Sequence, residues 1–264
     1  MDKNNILTNH NKKGIFTITL NRPEVKNSFN ESMIQNLHNA IKEIQDQKNF
    51  RILIISGNGD SFSAGADLNW MKKSIGFSKE ENIKDASLFA SMLKTLDNLK
   101  RPTIAKINGH TFGGGLGIIA CCDYAVSVNT AKYSFSEVKL GLTPAMISPY
   151  IIRSIGEIWA RRLFLSGEIF DAKLAININL LSKVVDSSDI NNEINSLTKL
   201  LLKGAPNAQG ECKKLIKKVV KLKRNKELIN FTLENIAENR SSEEGKEGMS
   251  AFLNKSKPKW ILDD

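Results

Sequence analysis

Apolar positions along the chain change period several times, and each change marks an element. Gly14-Ile15-Phe16-Thr17-Ile18-Thr19-Leu20 alternates with period two, which predicts a half-buried strand broken by Asn21-Arg22-Pro23. Residues 31–48 carry Ile34, Leu37, Ile41 and Ile44 at helical spacing, with Asn30 placed to cap them. Residues 51–56 form a continuous apolar run, read as a buried strand closed by Gly57-Asn58-Gly59-Asp60. The small residues 61–67 follow as a loop. Residues 87–100 space Leu88, Met92, Leu93, Leu96 and Leu99 as an amphipathic helix, Arg101-Pro102 ends it, and 103–107 is the next strand.

Gly113-Gly114-Gly115 then turns the chain into a helix over 116–122. Further short strands are predicted at 124–128, 133–135 and 184–185, with a loop over 136–144 and helices at 145–155 and 157–166. Asp171 reads as the cap of another helical turn. From Ile190 the pattern is helical throughout: 190–203, 208–223 with Asn207 as cap, 227–239 and 242–253. Alternating strands and helices with long connections predict an α/β core. The helical tail predicts a smaller subdomain whose apolar faces bury against the core or another subunit. The expected division is a core over 1–204 and an oligomerisation subdomain over 205–264.

Composition narrows the picture. An apolar fraction of 41% in 264 residues suits one large domain, or one domain with an appendage, rather than a disordered chain. No apolar run approaches the roughly 18 residues of a membrane span, and residues 1–14 lack the apolar stretch of a secretion signal. Cys121, Cys122 and Cys212 show no metal or redox spacing and read as thiols in a reducing compartment, so a cytoplasmic location is expected. His10, His38 and His110 are too scattered for a metal site, and no metal is expected. Lys and Arg number 38 against 28 acidic residues, a net charge of +10 that favours polyanions: nucleic acid, anionic lipid or a phosphate-bearing small molecule. Part of the excess lies at Lys213, Lys214, Lys217, Lys218, Lys221, Lys223, Arg224 and Lys226, opposite Leu215, Val219 and Leu222. This reads as a solvated helix face. RNA binding is the competing reading, but no aromatic platform accompanies the lysines, so a nucleic-acid partner is not expected.

Candidate chemistry centres on the triple glycine. Glycine tolerates φ > 0 and close backbone approach, and a helix starting there turns unpaired N–H groups outward. An anion, or an oxygen becoming one, suits such a turn; a bare strand-to-helix connection explains it equally well. Ala64-Gly65-Ala66 follows the other apolar strand in the same manner. If the two strands are neighbours, one N–H from each loop can face a common oxygen, as in an oxyanion hole. Glu137, between Phe135 and Val138, is the candidate proton carrier, because apolar surroundings raise a carboxyl pKa; a plain loop glutamate is the alternative. Asp67 reads as a helix cap, His110 as a local packing group, and Arg153 as a surface or interface arginine. Trp70 and Met71 suit either helix packing or a channel lining.

Three segments together carry a family resemblance. Phe62-Ser63-Ala64-Gly65-Ala66-Asp67-Leu68, Asn108-Gly109-His110-Thr111-Phe112-Gly113-Gly114-Gly115 and Ser136-Glu137-Val138-Lys139-Leu140-Gly141-Leu142 resemble the signatures of the enoyl-CoA hydratase/isomerase (crotonase) family. Asn21-Arg22-Pro23 with Asn27 resembles its first loop, and Ala251-Phe252-Leu253-Asn254-Lys255 its last helix. The resemblance implies an α/β, crotonase-like spiral of ββα repeats with a helical C-terminal trimerisation subdomain, forming trimers or dimers of trimers. It implies an acyl-CoA thioester as substrate, with no separate cofactor. Ala66 and Gly114 would supply the oxyanion-hole amides, and Glu137 would exchange the proton at C2. The Ala66-Asp67-Leu68-Asn69 backbone would lie near the adenine, Ala64 and Gly117 would belong to the substrate-binding site, Glu24, Val25 and Lys26 would lie along the coenzyme, and Lys255 of a neighbouring subunit would reach its phosphates. Hydratases of this family carry a second glutamate where this chain has Gly117, which also leaves Δ3,Δ2-enoyl-CoA isomerisation open. Asp67-Leu68-Asn69-Trp70-Met71 and Gly141-Leu142-Thr143-Pro144-Ala145-Met146-Ile147-Ser148-Pro149-Tyr150 resemble the methylglutaconyl-CoA hydratase subgroup, used in leucine breakdown. There Gly117 would leave room for a branched substrate.

Overall fold

The computed structural model describes residues 4–223 and 225–261, so Arg224 of the basic stretch lies outside the described residues. The larger of two sheets has the order β1 (Ile6–His10), β2 (Ile15–Leu20), β3 (Ile52–Gly57), β5 (Thr103–Ile107), β7 (Tyr124–Val128), β10 (Lys183–Val185). β1 is antiparallel to β2; the other pairings are parallel. The smaller sheet has the order β4 (Ser61–Ser63), β6 (His110–Phe112), β8 (Lys132–Ser134), β9 (Phe170–Asp171), with only β9 antiparallel.

A repeat explains both sheets. β3 and β4, β5 and β6, and β7 and β8 each place one strand in the large sheet and the next in the small one. Helices follow each pair: α2 (Leu68–Ser74) with α3 (Lys79–Asp97), then α4 (Gly114–Cys121), then α5 (Ser148–Ser166). Parallel neighbours require such crossovers. The core lies between the large sheet and the helices, where α1 (Glu31–Gln45) buries Met33, Ile34, Leu37, Ile41 and Ile44. Asn30 caps α1 through Met33 N–H, as its sequence suggests.

Several boundaries differ from the sequence expectation. β1 was not legible, because its polar residues Thr8, Asn9 and His10 stand exposed on an edge strand. α3 starts at Lys79 rather than 87: Ser78 and Glu81 form a reciprocal capping box that outweighs the polar first turns. The helix expected over 145–155 begins at Ser148, while Gly156, with φ 74°, breaks α5 into the two helices expected. α6 (Ala172–Asn177) is capped by Asp171, as expected.

After α7 (Ile190–Leu202) come α8 (Pro206–Lys221), α9 (Lys226–Ser241) and α10 (Glu243–Leu253). Asn207 does not cap α8, because Pro206 already occupies its first turn and Glu244 of α10 accepts from the N–H groups of Asn207 and Ala208. Nor are the lysines of α8 a uniform solvated face. Lys213 Nζ lies 2.7 Å from Asp123 Oδ2, and Lys217 Nζ lies 2.7 Å from Asp97 Oδ2. The apolar Ile216 and Val220 stand exposed instead. Asp97 also accepts from Arg153 of α5 at 2.7 Å, so one carboxylate joins α3, α5 and α8. Among the described residues no helix is long and apolar enough to cross a membrane.

Candidate active site

Three consecutive parallel strands organise the site. β4 ends at Ser63 and runs into Ala64-Gly65-Ala66; β6 ends at Phe112 and runs into Gly113-Gly114; β8 ends at Ser134, just before Glu137. Neighbouring strands lie about 4.8 Å apart, so their C-terminal ends deliver the three segments side by side. β3 and β5 are also neighbours, as the oxyanion-hole reading required, but the small sheet does the placing.

The backbone around Ala66 is fixed by Phe29. Phe29 N–H donates to Gly65 O at 2.7 Å, and Asp67 N–H donates to Phe29 O at 2.9 Å. Ala66, between them, therefore turns its own N–H the other way. Gly114 is the first residue of α4, where an N–H has no acceptor within its helix. Among the described residues neither Ala66 nor Gly114 N–H has an acceptor. Gly113 has φ 51° and ψ −123°, a conformation that only glycine adopts readily, and its N–H donates to Ser134 O. The loops touch: a Cβ built on Gly65 would lie 3.7 Å from Gly113 Cα, and one built on Gly113 would lie 3.4 Å from Glu137 Oε1.

Glu137 sits in a short 3-10 turn, Ser136–Leu140, ended by Gly141 with φ 73°. Its Oε2 is buried and has no hydrogen-bond partner among the described residues. Burial pushes the carboxyl above the ordinary glutamate range, and a hydrogen bond from its own backbone N–H opposes this in part. A cavity of about 360 Å³ holds Ala66, Gly114 and Glu137 together. Its walls are Phe29, Leu68, Trp70, Met71, Phe89, Leu140, Leu142, Pro144, Met146 and Ile147, with Ala64 and Thr143 beside them. Trp70 Nε1 donates to Asp85 at 3.0 Å, which fixes α2 against α3. Glu137 is the only charged side chain among the described residues lining this cavity.

Other expected site residues fall nearby or elsewhere. Asp67 caps α2 through Asn69 and Trp70 N–H and pairs with Arg22 at 2.9 Å. Burial raises its pKa, but the hydrogen bonds from Arg22 and the α2 amides lower it more. Glu24, Val25 and Lys26 form an exposed turn, tied to the site where Ala64 N–H donates to Lys26 O at 2.8 Å. Leu68 lines the cavity, whereas Asn69 is exposed beside it. Lys255 follows α10, exposed and off the cavity of its own protomer. Arg153 is committed to Asp97 and Ala120 O, and His110 Nδ1 accepts from Lys132 N–H.

Gly117 is the correction. It is buried and off the cavity lining, and a Cβ there would lie 2.3 Å from Ile147 Cγ2. Its missing side chain therefore leaves no space beside the substrate directly, because Ile147 fills the place. Phe29, Phe89 and Ile147 were not anticipated as site residues. Phe89 and Ile147 have the apolar character of core positions, so only the fold separates a lining residue from a buried one.

A larger cleft, about 530 Å³, lies by the starts of β2 and β3 and the end of α7, near Lys13 and Arg51. There the Arg51 guanidinium donates to the carbonyls of Leu202, Gly204 and Trp260, holding the C-terminal segment to the sheet. Among the described residues its lining includes no carboxylate.

The fold of ββα repeats and the loops at the small-sheet rim define a crotonase-type protein, and a family profile described as Enoyl-CoA hydratase/isomerase matches residues 10–262. The chain belongs to that family. It is 30% identical to the short-chain-enoyl-CoA hydratase of Clostridium acetobutylicum, over 97% of each chain. It is 27% identical to the crotonyl-CoA hydratase of Syntrophomonas wolfei, over 97% of this chain and 98% of that one. The crystal structure of an enoyl-CoA hydratase from Shewanella pealeana superposes with a TM-score of 0.95 at 36% identity, covering 98% of this chain and 97% of the other.

Proposed function

We propose that the protein adds water across the 2,3 double bond of an enoyl-CoA thioester. The observation that carries this is the meeting of two amides, Ala66 and Gly114, that have no acceptor among the described residues with a carboxylate whose buried Oε2 has no partner among them, in a mostly apolar cavity. The thioester oxygen accepts from both amides. Water gives a proton to Glu137 as its oxygen bonds to C3, and the π electrons move onto the thioester oxygen as an enolate. Glu137 then returns the proton to C2, and the atoms balance without a further reactant. Relatives named as enoyl-CoA hydratases support this reading.

The test is a screen of enoyl-CoA thioesters, straight, branched and carboxylated, with product identification. Hydroxyacyl product supports the proposal, and its absence throughout the screen refutes it. The 3-methylglutaconyl thioester is one arm. Its distal carboxylate meets no Arg, Lys or His among the described lining residues, so a single protomer favours an uncharged acyl chain.

A single carboxylate also suffices for Δ3,Δ2-isomerisation, and this favours it as a second reading. A 3-enoyl thioester yielding 2-enoyl without hydroxyacyl product would select it. The proposed assembly is a trimer or dimer of trimers built by 205–264, with Lys255 reaching a neighbour's coenzyme phosphates; exposed Leu233, Phe252 and Leu253 support it.

A further inference from the structure

Gly117 and Ile147 meet behind the cavity wall. Gly117 lies in the first turns of α4, and Ile147 immediately precedes α5. Ile147 is 2% exposed, yet it lines the acyl cavity, whereas Gly117 does not. A Cβ on Gly117 would lie 2.3 Å from Ile147 Cγ2, 3.1 Å from Ile147 Cβ and 3.4 Å from Leu93 Cδ1. The Ile147 backbone cannot yield easily, because its carbonyl accepts from Tyr150 and Ile151 N–H at the start of α5. A β-branched side chain also has few alternative rotamers. Leu93, the other neighbour of that Cβ, is fully buried, whereas Ile147 borders the open space of the cavity, so a displaced Ile147 moves into the cavity.

We propose that Gly117 and Ile147 are a matched pair that sets the depth of the acyl cavity, with Ile147 the specificity-determining residue. The absent side chain at 117 lets Ile147 recede, and Ile147 in turn closes the cavity floor. This rests on the acyl-CoA reading of the site. Shortening Ile147 to alanine frees the space of about three carbon atoms at the floor. Each methylene that enters it strengthens binding about fourfold. A side chain at 117 acts oppositely, driving Ile147 into the cavity and excluding the longest chains.

The experiment uses two ladders of straight-chain CoA thioesters, each member two carbons longer than the last. Saturated acyl-CoAs are titrated calorimetrically into the wild type, Ile147→Ala, Gly117→Ala and the double variant, and 2-enoyl-CoAs are assayed for hydration. The expected result is a preference shifted to longer chains in Ile147→Ala and to shorter ones in Gly117→Ala. The double variant should recover the long chains that Gly117→Ala loses, which is non-additive coupling between touching residues. Chain-length profiles for Ile147→Ala that superpose on the wild type overturn the proposal, even if Gly117→Ala fails to fold. A wild type that binds the saturated ladder but hydrates nothing sinks the hydratase reading, while the binding profiles still decide the pair. If no acyl-CoA binds, both fall.

Discussion

Replacing Glu137 with glutamine separates the chemistry of the site from its cost. The substitution keeps the shape of the side chain and removes the proton exchange. If Glu137 carries the proton between water and C2, turnover falls by about 10²- to 10⁴-fold. Stability should move the other way. Glu137 Oε2 is buried without a partner, and burial raises the carboxyl pKa, so the charged form costs the folded state free energy. The penalty for such an unsatisfied group is of the order of 1 kcal/mol after allowance for its partial exposure, a rise of about 2 °C in melting temperature for the glutamine variant. The sign with pH follows. Protonated Glu137 is fully tolerated below its unfolded pKa, and that stability is lost as pH rises through the raised folded value. The gap between variant and wild type should therefore be widest at neutral pH and close in acid. Turnover, which starts from the carboxylate, should fall as pH drops through the same raised value. Calorimetric melts and a pH–rate profile measure both. Wild-type turnover in the variant refutes the catalytic argument; a variant less stable than the wild type at neutral pH refutes the burial argument.

Asp67→Ala should destabilise by about 2–4 kcal/mol in urea titrations, since the cap of α2 and the partner of Arg22 vanish together. Gly113→Ala should cost about 1–3 kcal/mol, because its φ of 51° with ψ −123° suits only glycine. It should also lower turnover, its new Cβ lying 3.4 Å from Glu137 Oε1. Burial raises the Asp97 pKa, but the hydrogen bonds from Arg153 and Lys217 lower it more, so Asp97 stabilises the fold above its unfolded pKa and stops as pH falls through the lowered folded value. Melts of Asp97→Asn against the wild type should show a deficit at neutral pH that closes only in strong acid.

Much of this architecture was legible because hydrophobic period is local information. Strands β2, β3, β5 and β7 and the cap at Asn30 follow from runs a few residues long. The start of α3 did not, because Ser78 and Glu81 must be weighed against two turns of polar residues. The loops carrying Ala66, Gly114 and Glu137 announce themselves by small residues and a carboxylate in apolar company. Their meeting does not, since it depends on the three-residue strands β4 and β6, too short to show a period, pairing beside β8, the one member of the trio read from the sequence. Gly117 misled for a related reason: a missing side chain looks like vacant space until the neighbour that fills it, Ile147, is seen. Likewise Lys213 and Lys217 look like surface charge until Asp123 and Asp97 appear opposite them.

The shared carboxylate of Asp97 bears on the order in which the molecule assembles. Arg153 belongs to the same repeat unit of the core as β7 and β8, whereas Lys217 arrives with the trailing helices. The core can thus mature with the Asp97 charge already answered, and the late-synthesised tail adds a second clasp. Detachment of that tail leaves Asp97 paired with Arg153, while Asp123 gives up Lys213 and keeps the N–H and hydroxyl of Thr103, so the two core carboxylates differ in what undocking costs them.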